Sequence, residues 1–201
     1  MIIRPAEIAD AERLLEIYGY YVENTAISFE YESPSIEAFR SRMERITMRY
    51  PWLVAEQDGR IEGYAYANTL KDREAYARSC EVTIYLDHCA RKRGLGRMLY
   101  EALEAALKRQ GILNLYACIG YPETPDEYLT ANSAEFHAHL GYVRAGEFHR
   151  CGYKFGRWYN VLWMEKIIGE PKAQSDDLIL QQGGNHADIG TSNRIERLTG
   201  D

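Results

Sequence analysis

The hydrophobic positions of this chain follow two alternating periods as far as residue 168. A spacing of two residues predicts strands, and a spacing of three to four predicts helices with one buried side. The predicted strands cover 2–4, 52–55, 61–67, 81–86, 113–119, 142–149 and 157–167. The predicted helices cover 10–24, 33–46, 97–110 and 131–140. The resulting order, β-α-α-β-β-β-α-β-α-β-β, predicts an α/β protein whose mixed sheet has helices on both sides.

Capping and turn residues mark several of these boundaries. Asp10 stands where an N-cap would begin the first helix, and Ser33 followed by Pro34 suits the start of the second. Asp58-Gly59 lies between two strand patterns and predicts a tight hairpin. From residue 169 the composition becomes polar, with an excess of Gln, Asn, Asp, Ser and Gly. We therefore expect one folded domain at 1–168 and a C-terminal tail at 169–201 that is flexible or loosely docked.

Composition and charge narrow the functional class. There are 30 acidic and 24 basic residues, and the net charge of −6 argues against nucleic acid as the main partner. No apolar run approaches the ~20 residues of a membrane span, and the N-terminus lacks the apolar segment of a signal peptide, so we expect no membrane partner. The four cysteines contain no C-x-x-C pair. This spacing predicts reduced thiols in the cytoplasm and no metal site.

The segment with the clearest chemistry is Arg91-Lys92-Arg93-Gly94-Leu95-Gly96-Arg97, between a predicted strand and an amphipathic helix. Its glycines let the backbone approach a ligand closely, and the first N–H groups of the next helix favour an anion. The spacing excludes a P-loop and a G-x-G-x-x-G fingerprint. The segment predicts a pyrophosphate site, although a basic helix start on a solvated surface would have the same pattern.

The pattern Arg-x-x-Gly-x-Gly at Arg91, Gly94 and Gly96 resembles the coenzyme A loop of GCN5-related N-acetyltransferases (GNAT). Further motifs resemble the phosphinothricin acetyltransferase branch of that superfamily. These are Arg73-Glu-Ala-Tyr76, Glu81-Val-Thr-Ile-Tyr85, Phe136-His137 before Leu140-Gly141-Tyr142, and Gly152-Tyr-Lys154-Phe-Gly156-Arg-Trp158. The resemblance covers about residues 1–168. It implies the GNAT fold, with a mixed, mostly antiparallel sheet of about six or seven strands between helices.

The resemblance implies acetyl-coenzyme A as co-substrate and assigns several residues to binding it. Those residues are the loop Arg91, Lys92, Arg93, Gly94, Leu95, Gly96 and Arg97, the backbone N–H of Ile84 or Tyr85, and Asn132 and Ser133 for the pantetheine arm. One departure from the family is Thr130, which stands at the usual spacing of the pantetheine asparagine from Gly141.

Two residues are candidates for moving protons. An alkyl ammonium has a pKa of ~10, so an amine acceptor needs help to lose a proton at neutral pH. In the resembling family a glutamate at the position of Glu81 acts as general base through water, whereas the residues alone favour a solvent-facing strand carboxylate. His137 stands where many superfamily members have a tyrosine that protonates the leaving thiolate. His139 is two residues away and cannot share the helix face of His137, so one of the two is structural or solvated.

The family positions for the acceptor fall on Arg73, Tyr76, Phe29, Lys154 and Trp158. Arg73 would hold a carboxylate of the acceptor. The residues alone also allow Trp158 as a core aromatic and Lys154 as a surface charge. The expected acceptor is an amino acid such as phosphinothricin or methionine sulfone. The alternatives are another amine (an aminoglycoside, a polyamine or a protein N-terminus) and a non-catalytic module that binds coenzyme A. By resemblance, a homodimer is expected.

Overall fold

The computed structural model describes residues 1–90 and 94–170. Its strands are β1 (Ile2–Pro5), β2 (Trp52–Gln57), β3 (Arg60–Thr69), β4 (Ser79–Leu86), β5 (Asn114–Tyr121), β6 (Val143–Lys154) and β7 (Arg157–Ile167). Its helices are α1 (Ala11–Asn24), α2 (Ile36–Thr47), α3 (Leu95–Arg109) and α4 (Asn132–His139). Single 3-10 turns occupy Ile8–Asp10 and Glu74–Tyr76. The predicted order of strands and helices is confirmed, and almost the whole predicted tail lies outside the described residues.

The sheet has seven strands in the order β1-β2-β3-β4-β5-β7-β6. Only β4 and β5 run parallel, and the other five neighbouring pairs are antiparallel. The parallel pair requires a crossover connection, which α3 provides. The predicted mixed, mostly antiparallel sheet is therefore confirmed. Among the described residues, no helix combines the length and apolar character needed to cross a membrane.

Helices lie against both faces of the sheet. Tyr18 of α1 contacts the ring of Tyr85 on β4, with ring centroids 5.0 Å apart. Ile84, the preceding residue of β4, faces Gly96 of α3, since a Cβ atom at Gly96 would lie 3.6 Å from the Ile84 side chain. Neighbouring strand residues point to opposite faces. Helices α1 and α2 therefore cover one face of the sheet, and α3 covers the other.

One predicted turn and two predicted helix starts can be compared with the structure. Asp58 and Gly59 both have positive φ angles, 52° and 78°, so the predicted tight hairpin is confirmed. Asp10 does not cap α1 with its side chain; its carboxylate instead accepts from Glu7 N and pairs with Arg4, both at 2.8 Å. The second helix begins two residues later than predicted, because the hydroxyl of Ser35 accepts from Ala38 N at 3.2 Å.

Within residues 1–90 and 94–170, no helix covers the half of the sheet formed by β5, β7 and β6 on the face that α1 covers elsewhere, although loop residues pack over its Tyr159 end. Helix α1 contacts β3 and β4, and α2 contacts β2. On this face, Cys118 of β5 pairs with Trp163 of β7, and Val161 of β7 pairs with Phe148 of β6. Phe148 and Val143 are each 60% exposed. We refer to Val143, Phe148, Val161 and Trp163 as the open apolar face.

Candidate active site

A gap in the sheet lies between the parallel strands β4 and β5. Their ladder has only three residue pairs, and the last of them joins Glu81 to Tyr116. Strand β4 continues to Leu86 and β5 to Tyr121, without further pairing between them. The five residues from Val82 to Leu86 therefore pair only with β3 and leave their other edge open.

The direction of the β4 backbone groups follows from the ladder with β3. Asp87 N donates to Glu62 O at 2.8 Å, which makes these two residues a hydrogen-bonded pair of the antiparallel ladder. Hydrogen-bonded and non-hydrogen-bonded pairs alternate along such a ladder. The N–H of Tyr85 therefore points toward β3, and the N–H of Ile84 points toward the gap. Of the two predicted carbonyl-binding N–H groups, the structure favours Ile84.

Glu81 lies at the closed end of this gap. Its side chain is half-buried, on the sheet face shared with Asn68 and Tyr116. Burial raises the pKa of the Glu81 carboxyl, and the charge of Lys71 acts weakly in the opposite direction. Within residues 1–90 and 94–170, no side chain forms a hydrogen bond or an ion pair with this carboxylate. A carboxylate of this kind can accept a proton, because burial outweighs the weak effect of Lys71 on its pKa.

Four further residues surround Glu81 on the same face, and the sequence patterns did not single them out as site residues. They are Tyr66, Thr83, Tyr116 and Cys118. Burial raises the pKa of Tyr66 to about 12 and, with a smaller effect from Glu81, that of the Cys118 thiol to about 12. These groups are therefore neutral near pH 7. The strand register that brings them beside Glu81 was the missing information.

A cleft of about 290 Å³ lies at the N-terminus of α3. Its lining residues are Leu86, Ala90, Gly94, Leu95, Gly96, Arg97, Phe136, His139 and Leu140. Gly94 precedes the helix with φ of 74°, a conformation that favours glycine, and the first N–H groups of α3 are available to an anion. Four predicted loop residues, Gly94 through Arg97, thus line one cleft. The predicted residues Arg91, Lys92 and Arg93 lie outside the described residues.

Close packing between α3 and α4 shapes this cleft. A Cβ atom added to Gly96 would lie 2.8 Å from Cζ and 2.9 Å from Cε2 of Phe136, distances too short for an unshifted ring. Gly96 is therefore required for the contact between these helices as well as for backbone access. Phe136, Leu140 and His139 belong to the cleft lining, although none of the three was predicted to bind the cofactor.

His137 of α4 packs against Tyr100 of α3. The side chain is buried, and its Nδ1 lies 2.7 Å from Ser133 O. A carbonyl oxygen only accepts, so Nδ1 carries the proton, and Nε2 accepts from the Tyr100 hydroxyl at 3.0 Å. Burial lowers the pKa of His137, although the bond to Ser133 opposes this. Both nitrogens have partners within the described residues, so the geometry adds no support to the catalytic role, which stays a prediction.

The two residues predicted for the pantetheine arm lie at the start of α4. Asn132 is exposed and begins the helix, whereas Ser133 is half-buried and provides the carbonyl that His137 contacts. Neither residue lines the cleft at α3. Their predicted binding role therefore gains no support from the cleft geometry.

Arg73 and Tyr76 lie together on the segment that leads into β4. Arg73 precedes the 3-10 turn Glu74–Tyr76, and Tyr76 N donates to Arg73 O at 2.9 Å. Both side chains are exposed, and 40% of the surface of Tyr76 is accessible to solvent. Within the described residues, the Arg73 guanidinium has no carboxylate partner, so it is available to an anionic ligand.

Lys154 is neither a surface charge nor part of a ligand-facing wall, and the prediction that it contacts the acceptor is wrong. Its side chain is only 2% exposed. The ammonium donates to the carbonyl oxygens of Val22, Thr25 and Ser28 at 2.7, 2.9 and 2.7 Å. Burial lowers the pKa of Lys154, with Glu30 acting in the opposite direction. Lys154 thus fixes the end of α1 and the loop after it.

Phe29 and Trp158 have opposite environments. Phe29 is half-buried against Gly152, where an added Cβ atom would lie 2.1 Å from the Phe29 ring. It also packs on a small core formed by Ala26, Leu129 and Tyr159. Trp158 is 59% exposed, so the alternative of a core aromatic is wrong.

The long loop between β5 and α4 is fixed against the α1–α2 connection. Ala26 N donates to Tyr128 O at 3.0 Å, and the Asp126 carboxylate accepts from the N–H groups of Tyr128 and Leu129, both at 2.8 Å. Tyr159 also donates its hydroxyl to Asp126 at 2.9 Å. The loop that follows β5 is therefore a packed wall beside the gap.

Comparison with known proteins gives consistent matches over this region. The family described as "Acetyltransferase (GNAT) domain" matches residues 3–163. The phosphinothricin N-acetyltransferase of Streptomyces viridochromogenes is 37% identical over 169 residues, covering 84% of this chain and 88% of that protein. The L-methionine sulfoximine/L-methionine sulfone acetyltransferase of Salmonella typhimurium is 29% identical, with coverage of 86% and 98%. A phosphinothricin acetyltransferase from Sinorhizobium meliloti, crystallised with acetyl-coenzyme A, superposes with a TM-score of 0.80 at 30% identity, covering 90% and 95% of the two chains.

Proposed function

The chain belongs to the GNAT acetyltransferase family and is an acetyl-coenzyme A-dependent N-acetyltransferase, and we propose that its acceptor is an amino acid of the phosphinothricin or methionine sulfone type. The observation that carries the proposed mechanism is the position of Glu81, and the relatives named for amino-acid acceptors carry the acceptor class. This half-buried carboxylate, with its raised pKa, lies where the β4–β5 ladder ends and the N–H of Ile84 faces the gap.

Glu81 is the general base of the proposed reaction. It takes a proton from the acceptor ammonium, either directly or through a water molecule, and so frees the lone pair that attacks the thioester carbonyl carbon. Co-substrate acetyl-coenzyme A supplies that thioester. The N–H of Ile84 donates to the carbonyl oxygen as it gains negative charge, which lowers the barrier. The carbon–sulfur bond then breaks, and the leaving thiolate takes up a proton.

The N-terminus of α3 is the proposed site for the pyrophosphate. Residues 94–97 present backbone N–H groups at the positive end of the helix dipole, inside the cleft described above. Arg91, Lys92 and Arg93 would add charge from the adjacent segment. The pantetheine would extend from this cleft toward the gap, with Asn132 and Ser133 as the proposed contacts.

Arg73 is the proposed anchor for the acceptor's carboxylate, with Tyr76 next to it on the same segment, and Phe29 is kept as a further proposed contact. Support comes from the exposed guanidinium without a carboxylate partner in the described residues, and from relatives named for amino-acid acceptors. Trp158 is retained as a more distant part of the proposed acceptor wall.

An assay of thiol release from acetyl-coenzyme A tests the acceptor. The panel contains phosphinothricin, methionine sulfone, standard amino acids, an aminoglycoside, a polyamine and a peptide N-terminus. We expect the two amino-acid analogues to give the highest kcat/KM. In Arg73→Gln, KM for them should rise about ten-fold, whereas Arg109→Gln, a remote exposed control, should behave like the wild type. A preference for another amine, or an unchanged KM in Arg73→Gln, would contradict the proposed acceptor. Binding of acetyl-coenzyme A without transfer to any amine would favour the non-catalytic alternative.

We propose that the protein is a homodimer joined through the open apolar face. Val143 and Phe148 expose 60% of their surface there, beside Val161 and Trp163. Phe148→Lys should shift the mass measured by analytical ultracentrifugation from dimer to monomer, whereas Met48→Lys, at an 80% exposed site on another surface, should not. A wild-type monomer would overturn this assignment.

The four cysteines are free, which fits the proposed location in the cytoplasm.

A further inference from the structure

A cluster of three consecutive side chains, Asp87, His88 and Cys89, lies where β4 ends. Their ligand atoms all lie within 4.8 Å of one another. The cluster takes no part in the acetyl transfer described above. It immediately precedes Ala90, which lines the cleft at the N-terminus of α3.

The Asp87 carboxylate is the fixed part of this cluster. Its side chain is 4% exposed and pairs with the guanidinium groups of Arg13 and Arg60, the latter at 3.0 Å. Burial alone would raise the pKa of Asp87, but the bond from Cys89 N and the two arginines together hold the pKa below its usual range. Since the guanidinium groups occupy this carboxylate, it is an ionised anchor rather than a vacant metal ligand.

Asp87 and Tyr20 position the imidazole of His88. Nδ1 of His88 lies 3.6 Å from Asp87 Oδ1, an electrostatic contact that favours a proton on Nδ1. The His88 ring stacks on Tyr20 of α1, with centroids 4.0 Å apart and an interplanar angle of 7°. The other nitrogen, Nε2, lies 3.2 Å from Cys89 Sγ. The arrangement runs from a carboxylate through an imidazole to a thiol, which is the order that activates a nucleophilic sulfur.

Cys89 differs in this respect from the other exposed cysteines of the chain, Cys118 and Cys151. Burial raises the pKa of Cys118 to about 12, with a smaller effect from Glu81, which disfavours its thiolate. The thiol of Cys151 lies 3.5 Å from Phe148 O, an acceptor that cannot take its proton. Among the residues that the structure describes, Cys89 is the one cysteine that combines exposure with an imidazole nitrogen in hydrogen-bond range.

We propose that Cys89 is a thiol-modification site that reacts with low-molecular-weight disulfides, and that its modification blocks the adjacent acetyl-coenzyme A cleft. In the reaction His88 Nε2 accepts the Cys89 proton, and the thiolate attacks one sulfur of R–S–S–R. The new Cys89–S–S–R bond forms as the R–S⁻ group leaves with the electron pair and takes up the proton. No further oxidant is required, and a reducing thiol reverses the exchange.

The effect on the cleft follows from the position of Cys89 in the chain. Ala90 is 2% exposed and its N–H donates to Asp87 O at 2.9 Å, so the backbone on either side of Cys89 is fixed. A group attached to Cys89 therefore needs this segment to move, and that movement would change the cleft. This second part of the proposal rests on the proposed pyrophosphate site at α3.

Mass spectrometry after limited reaction with glutathione disulfide tests the first part without using the cofactor. We expect Cys89 to be modified about ten times faster than Cys118 or Cys151 at pH 7. His88→Phe retains a ring for the Tyr20 stack but removes the nitrogen, and it should slow Cys89 about ten-fold while leaving the other two thiols unchanged. Equal rates for the three cysteines, or an unchanged Cys89 rate in His88→Phe, would overturn the activation by His88.

Calorimetric titration of acetyl-coenzyme A tests the second part. The unmodified protein should bind, the Cys89-thiolated protein should bind at least about ten-fold more weakly, and dithiothreitol should restore binding. Cys89→Ser, treated with glutathione disulfide in parallel, should keep its affinity and its acetyl transfer. Thiolation at Cys89 with unchanged affinity would overturn the effect on the cleft. Failure of the unmodified protein to bind would contradict the proposed function instead, whatever the cysteine rates.

Discussion

Lys154 at the end of β6 donates a hydrogen bond to the carbonyl oxygen of Val22 in the last turn of α1, over 2.7 Å, although the residues are 132 positions apart. The last carbonyl groups of a helix have no partner within it, and a cation there also interacts favourably with the helix dipole. The same ammonium donates to Thr25 and Ser28. One side chain thus satisfies three carbonyl groups beside the proposed acceptor site.

Replacing Lys154 by methionine should destabilise the protein by about 3 kcal/mol, because three buried carbonyl groups lose a charged donor while the aliphatic stem is retained. Urea unfolding at pH 7 measures this change. The matched control is Lys108→Met on the exposed side of α3, where we expect a change within about 0.5 kcal/mol. Equal stability of the two variants would show that the three carbonyl contacts contribute nothing measurable.

Two residues whose burial sequence analysis did not predict share a physical cause. Lys154 and His137 are polar residues in strand and helix patterns, and local periodicity cannot show whether a distant segment supplies their hydrogen-bond partners. The partners of Lys154 come from the end of α1 and the loop after it, more than 120 positions earlier. The Tyr100 partner of His137 comes from α3. Burial of a polar group is decided by tertiary contacts, and the acceptor role suggested by resemblance could not reveal them.

The strand and helix order, by contrast, followed from periods of two and about 3.6 residues within each segment. The gap beside Glu81 could not be predicted from these periods. Both β4 and β5 show ordinary strand patterns, and only their register shows that pairing ends after Glu81 and Tyr116. Register depends on the crossover through α3 and on packing across two strands. The same limit explains why Tyr66 and Cys118 were not singled out beside the carboxylate.

His137→Leu should reduce stability by about 2 kcal/mol, because the Tyr100 hydroxyl and Ser133 carbonyl lose their partners. The pH dependence of kcat/KM should keep its wild-type shape, since the imidazole does not move a proton in the reaction proposed above. Tyr100→Phe removes the other half of the pair. Because the two side chains contact each other, the double variant should lose less stability than the sum of the single losses. Disappearance of one limb of the pH profile in His137→Leu would instead support the catalytic role of His137.

Gly96→Ala should weaken acetyl-coenzyme A binding about ten-fold. The added Cβ atom would lie 2.8 Å from the Phe136 ring, so that ring must move within the cleft lining. Isothermal titration calorimetry gives the affinity, and Gly146→Ala, where nothing lies within 4 Å, is the matched control. Adding Phe136→Leu to Gly96→Ala should recover part of the loss by making room. If Gly96→Ala binds like Gly146→Ala, the contact does not shape the proposed cleft.

Glu81→Gln should lower kcat/KM for the amino acid acceptor by about 100-fold, because an amide cannot accept the ammonium proton. In the wild type, kcat/KM should rise with pH as Glu81 ionises, along a limb shifted above the ordinary carboxylate range, since burial raises its pKa. That limb should be missing in the variant. Glu165→Gln is the control: it lies on the same face beyond Tyr116 and should change the rate less than about two-fold. An identical pH profile in Glu81→Gln would exclude the base role.

The same substitution should make the folded protein more stable at neutral pH, and the sign follows from linkage. Because the folded-state pKa of Glu81 lies above its unfolded value, the folded protein binds more protons between the two values. Its stability must therefore fall as pH rises through that interval, and the cost of ionising the buried carboxylate is fully present above it. Glutamine carries no such cost. Thermal unfolding at pH 7 should give Glu81→Gln a higher Tm than the wild type, with the difference shrinking toward pH 4. A lower Tm at pH 7 would mean that the Glu81 carboxylate stabilises the fold. It would contradict the claim that ionising this buried carboxylate costs stability.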